Sequence, residues 1–171
     1  DYAPGDAAVP CLGAGPSGSG KSAALAKFVE VVEGRGRDPV PIPHFVGASP
    51  RSTSLAGMLR RLCLELKQAC GFGEDVPQEV GELATHLRDF LGQVPEDRGV
   101  VIVLDALNQL DEQGNAQTLW WLPFELPPHV KLIVSCITDP DRPEPVLDAF
   151  AHRDHEPVTI DALTGAERLE I

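Results

Sequence analysis

Gly15-Pro16-Ser17-Gly18-Ser19-Gly20-Lys21-Ser22 stands between a short apolar run and a helix-like run, and it fits the pattern GxxxxGK followed by Ser or Thr without a gap. The residue types have a chemical reason. Glycines let the backbone curl until several N–H groups point inward at phosphate oxygens, and the helix that follows offers its positive N-terminal end to the same anion. The lysine at position 21 is placed to reach β- and γ-phosphates, and the hydroxyl at position 22 suits a bridging magnesium ion. The stretch therefore predicts a Walker A phosphate loop in which Gly15, Pro16, Ser17, Gly18, Ser19, Gly20, Lys21 and Ser22 hold ATP or ADP with Mg2+. The plain alternative is a glycine-rich turn that merely precedes a helix.

Such a loop requires a partner: an aspartate at the end of a buried strand, aimed at the metal. Val100-Val101-Ile102-Val103-Leu104 is a run of branched apolar residues typical of a strand buried on both faces, and Asp105 ends it. Asp105 and Ser22 are the expected metal residues. Hydrolysis needs a group beside the attacking water. The third residue after Asp105 is Asn108, an amide that cannot take a proton but can orient a water, or simply organise the turn. Asp111 and Glu112 lie further on. Ser135, near the end of a later strand, stands where a polar sensor of the γ-phosphate would be. Lys21, Asp105, Asn108 and Ser135 are thus the catalytic candidates.

Strand-like and helix-like segments alternate along the chain, the pattern of an α/β protein with a parallel sheet. Strands are expected at Ala7 to Leu12, Val40 to Val46, Val100 to Leu104, Val130 to Cys136 and Pro157 to Ile160. Pro10 is awkward for the first of these and Pro41 and Pro43 for the second, since proline donates no ladder hydrogen bond. Helices are expected from Lys21 to Glu33, from about Leu55 to Ala69 with Gly71 as the stop, from near Pro77 to Gly92, at Asn115 to Trp121, and at Val146 to Phe150. A further helix begins at Thr164, so residues 1–163 read as one core and 164–171 as the start of a following helical region. Trp120 and Trp121 are expected to pack under the edge of the sheet.

A chain of 171 residues with 43% apolar content suits one domain with a full core. Its 26 acidic and 14 basic residues give a net charge of −12, which disfavours nucleic acid and anionic lipid as partners. No apolar stretch approaches the roughly 18 residues of a membrane span. Cys11, Cys63, Cys70 and Cys136 form no CxxC pair and read as reduced core residues, which points to a reducing, cytoplasmic setting.

Other motifs carry less. Asn108-Gln109-Leu110-Asp111 resembles a guanine-reading motif but abuts Asp105 instead of following a later strand, and the accompanying DxxG lacks its glycine. His152 and His155 lack a third metal ligand in a polar stretch. Arg51, Arg60 and Arg61 suit a solvated helix face.

Four stretches together resemble a known group. They are the loop Gly15 to Ser22; His44-Phe45-Val46-Gly47-Ala48-Ser49; Val103-Leu104-Asp105-Ala106-Leu107-Asn108-Gln109-Leu110; and Trp121-Leu122-Pro123 through Leu126-Pro127 to Val130-Lys131-Leu132-Ile133-Val134-Ser135. The sequence resembles NACHT-type ATPases of the STAND class, nearest to those of nephrocystin-like and telomerase-associated-protein-like chains. The resemblance implies a three-layer P-loop core with a mainly parallel five-stranded sheet of order 5-1-4-3-2. It also implies a nucleotide-controlled switch joined to TPR or WD repeats, with other domains of the chain and further copies of it as partners. Asn108 in place of an acidic residue, and the lack of an arginine directly after Ser135, speak against fast hydrolysis. The competing readings are an active P-loop ATPase or small-molecule kinase, and a scaffold that no longer binds nucleotide.

Overall fold

The computed structural model describes residues 8–159 apart from 37, 140 and 142. Five parallel strands run in the order β2-β3-β4-β1-β5: β1 Cys11–Gly15, β2 Val40–Phe45, β3 Val100–Asp105, β4 Val130–Ile137 and β5 Glu156–Thr159. This is the anticipated order 5-1-4-3-2 seen from the other edge. The helices are α1 Lys21–Gly34, α2 Leu55–Cys70, α3 Val80–Gly92 and α4 Pro145–Ala151. The expected helix from Thr164, the 164–171 region, and the outer ends of the first and fifth expected strands at Ala7 and Ile160 lie outside the described residues.

The first strand begins later than the apolar run suggested. β1 is central, paired with β4 on one side and β5 on the other, so a proline inside it would forfeit a ladder bond. Pro10 instead sits just ahead of Cys11, where its carbonyl accepts the Glu156 N–H at 2.8 Å. The strand then extends to Gly15, so the phosphate loop leaves directly from the end of the middle of the sheet.

β2 tolerates two prolines because it is an edge strand. Val40 N–H reaches Gly99 O at 2.8 Å, and Val46 N–H reaches Asp105 O at 3.1 Å. The alternate positions Pro41 and Pro43 therefore face away from β3, where no ladder donor is required.

The two faces of the sheet are covered unequally. Ile42, Val100, Ile102, Leu104, Leu132, Val134 and Cys136 look toward α2, α3 and α4 and share a core with Met58, Leu62, Leu87, Phe90 and Phe150. Among the described residues, the opposite Val101 and Val103 share a smaller cluster with Leu25 and Val29 of α1, with Phe45 and Ile133 at the margin. Ser54 caps α2 by accepting the Gly57 N–H, and Gly71 ends it in the left-handed region at φ 74°.

The expected helix at Asn115 to Trp121 is instead an irregular 3-10 turn, Gln113–Thr118. Positive φ at Gly114, Asn115 and Leu119 prevents a continuous α-helix. The kink also separates the tryptophans. Trp121 is fully buried and its Nε1 donates to Ala116 O, whereas Trp120 is 40% exposed and donates to Gly114 O. Only one of the pair packs as anticipated. All four cysteines are free thiols, and no helix among the described residues is long and apolar enough to cross a membrane.

Candidate functional site

The loop after β1 turns through two left-handed glycines, Gly18 at φ 75° and Gly20 at φ 85°, before α1 begins at Lys21. A side chain at either position would strain the backbone. Gly20 caps the 14-residue helix without a side-chain hydrogen bond, so the first-turn amides have no intramolecular side-chain cap. They border a cleft of about 440 Å³ lined by residues 17–23 together with Ala106, Gln109 and Ile137.

Lys21 is 6% exposed and folds back over its own loop. Its ammonium donates to Gly15 O at 2.8 Å, Pro16 O at 2.7 Å and Ser19 Oγ at 3.0 Å, which uses all three hydrogens. Burial lowers its pKa below the usual lysine value, partly offset by Cys136 and Asp105 nearby. Ser19 is buried, whereas Ser22 is exposed at the cleft.

Asp105 ends β3 and is buried. Ser135, in the adjacent β4, donates its hydroxyl to Asp105 Oδ1 and accepts the Ala106 N–H at 2.9 Å. Asp105, Ser135 and Ile137 point to the same side of the sheet as α1, by the two-residue alternation of Val101, Val103 and Asp105. The hydroxyl foreseen as a phosphate sensor thus bridges the Asp105 carboxylate and the Ala106 amide.

Of the two readings of Asn108, the turn-organising one matches its hydrogen bond. Ala106 adopts φ 56°, which turns the chain sharply and leads into the short 3-10 turn Leu107–Gln109. Asn108 Oδ1 then accepts the Ile137 N–H at 3.0 Å, pinning the turn to the end of β4, and Asn108 does not line the cleft. Its neighbour Gln109 does. Sequence reasoning passed over Gln109, and the signal that would have marked it is the left-handed residue at 106, invisible in spacing alone.

Asp111 is tied down too: its N–H donates to Thr53 O at 2.9 Å and its carboxylate accepts from Thr53 Oγ1 at 3.2 Å. Arg60 donates to Pro77 O at 3.2 Å and Arg61 lies beside Glu65 on α2, both away from the cleft. His155 contacts the Arg153 carbonyl and the Phe150 ring, and among the described residues no group of three or more His, Cys, Asp or Glu is placed to hold a metal ion.

No family model matches the chain. Individual proteins do. It is 35% identical over 102 residues to mouse "NACHT and WD repeat domain-containing protein 2", covering 58% of this chain and 6% of that protein. It is 30% identical over 128 residues to human "NACHT domain- and WD repeat-containing protein 1", covering 71% and 8%. Human Nephrocystin-3 is 30% identical over 130 residues, covering 74% and 10%. The chain thus spans a tenth or less of the length of these relatives. In fold it is similar to the Aeropyrum pernix ORC1 protein solved in complex with DNA, with a TM-score of 0.62 and 17% identity over 95% of this chain and 42% of that one. By its strand order, its glycine loop and these relatives, the chain is a NACHT-like P-loop domain.

Proposed function

We propose that the domain binds ATP and ADP with magnesium as a two-state switch, turning ATP over slowly, and that it controls neighbouring repeat domains. The observation that carries this reading is Lys21: a buried ammonium at the mouth of a long helix, held by the carbonyls of a loop that needs glycine at two positions.

The donor set fits the ligand. Left-handed Gly18 and Gly20 leave their amides uncovered by side chains, and a Cβ built on Gly18 would meet nothing within 4 Å, so the cradle is open on the cleft side. Magnesium would supply charge neutralisation at the terminal phosphates. The Ser22 hydroxyl and the Asp105 carboxylate are oxygen donors of the kind a hard cation prefers. Ser135 fixes the Asp105 carboxylate, so its orientation is set before any ligand arrives. Lys21 must exchange at least one loop contact for a phosphate oxygen.

Slow turnover is supported by what faces the cleft. None of its described lining residues carries a carboxylate, Asn108 is anchored to β4, and Asp111 is paired with Thr53. Among the described lining residues, then, none is placed to act as a general base. The relatives named for WD repeats favour regulated repeat domains as the output, and the net charge of −12 favours protein partners over nucleic acid.

The test is titration of the full chain with ATP, ADP and GTP plus magnesium, followed by measurement of phosphate release. Tight binding of ATP and ADP with negligible release is expected. Rapid phosphoryl transfer to a small acceptor, or binding that survives Lys21→Ala unchanged, would overturn the proposal.

A further inference from the structure

Two of the catalytic candidates, the sensor Ser135 and the water-orienting Asn108, have other partners. Ser135 serves Asp105 and the Ala106 amide, and Asn108 serves the Ile137 amide. Gln109 is the one carboxamide among the described residues lining the cleft opposite the glycine loop.

Gln109 also has a second neighbour. A Cβ built on Gly47 would lie 2.2 Å from Gln109 Oε1, so the Gln109 carboxamide packs directly on Gly47, and φ 84° is the feature that calls for glycine there. Gly47 opens the loop between β2 and α2. The far end of that loop is joined to the same segment again, through the Asp111 N–H to Thr53 O bond and the Thr53 hydroxyl on the Asp111 carboxylate. The next residue, Ser54, caps α2. The turn after β3 and the loop after β2 therefore meet at two points, by packing of Gln109 on Gly47 at the cleft and by the Thr53–Asp111 hydrogen bonds next to the first turn of α2.

We infer that Gln109 reads the terminal phosphate and relays its presence through Gly47 and Thr53 to the start of α2. An amide suits the task. It can donate to a phosphate oxygen through Nε2, and it cannot take a proton from water. A side chain that turns toward a third phosphate loosens its hold on Gly47, so the two nucleotides favour different positions of that loop. The inference rests on nucleotide binding at the cleft.

The experiment compares ADP with a non-hydrolysable ATP analogue, both with magnesium, on the full chain. Gln109→Ala is expected to weaken the analogue by roughly 3- to 10-fold, the loss of about one hydrogen bond, while ADP binding stays as it was. Gln109→Glu is expected to raise phosphate release at a rate that grows with pH as the carboxylate ionises. In the parent chain the analogue, and not ADP, should change hydrogen exchange in the first turn of α2, and Gly47→Ala should abolish that difference. If Gln109→Ala, shown to fold by circular dichroism, alters both ligands equally, or α2 exchange ignores which nucleotide is bound, the relay is overturned while the site stands. If the parent chain binds neither nucleotide, both readings fall.

Discussion

The two faces of the sheet do different work. On one, α2, α3 and α4 bury a continuous core running from Leu12 through Leu62 and Phe90 to Phe150. On the other, among the described residues, Leu25 and Val29 of α1 cover Val101 and Val103. The thinly covered face is the one that carries Asp105, Ser135 and Ile137, and α1 itself starts at Lys21. Packing is concentrated away from the cleft, and the cleft sits where little packing has to be disturbed for a side chain to move. A strand's two-residue alternation makes the division available within a single sheet.

The comparison can be broken most forcefully from the core side. Phe90 is 1% exposed and stacks near Phe72 and His86. Phe90→Ala should cost about 3–5 kcal/mol of unfolding free energy by urea denaturation, with nucleotide affinity of the remaining folded protein unchanged. A change in that affinity would show that the faces are not separate. The reciprocal substitution, Lys21→Ala, should weaken nucleotide binding by roughly 10- to 100-fold in calorimetry, the scale of lost charge-assisted hydrogen bonds, with little change in stability.

Ser135 tests the seam between the two. Ser135→Ala leaves the buried Ala106 N–H without its acceptor and frees the Asp105 carboxylate. It should cost about 1–3 kcal/mol of stability and also flatten the dependence of nucleotide affinity on magnesium concentration, which a purely structural hydroxyl would not do. Ser135→Thr keeps the hydroxyl and should restore both.

The smallest effect belongs to His44 on the edge strand. Burial holds its pKa below the ordinary 6.5, with the Ser52 carbonyl partly opposing and Arg61 adding to the depression. The unfolded chain therefore binds a proton first as pH falls below 6.5, so stability is complete above that value and lost as pH drops through the folded one. Urea midpoints between pH 7.5 and 5.5 should fall less steeply in His44→Asn than in the parent chain.

Much of the fold was legible because its signals are local. The run Val100 to Leu104 announces a strand buried on both faces, and Leu55, Met58, Leu59, Leu62 and Leu66 announce the inner stripe of α2. The glycine loop was readable from spacing because backbone curvature demands particular residues at particular intervals. β1 was displaced by several residues because apolar character continues through Ala7 to Leu12, whereas the ladder requires donors that Pro10 lacks. The turn after β3 defeated spacing altogether. A left-handed alanine at 106 sends Asn108 to β4 and Gln109 to the cleft, and alanine gives no hint of that conformation. The expected helix at Asn115 to Trp121 failed for the same reason, with Leu119 at φ 56°.

Pro41 and Pro43 have a consequence beyond the fold of one molecule. An outermost strand ordinarily offers its outward amides to any passing extended segment, and sheets of separate molecules can anneal along it. Here two of those outward amides do not exist. An extended segment approaching this rim meets a broken row of donors, so pairing along it is disfavoured.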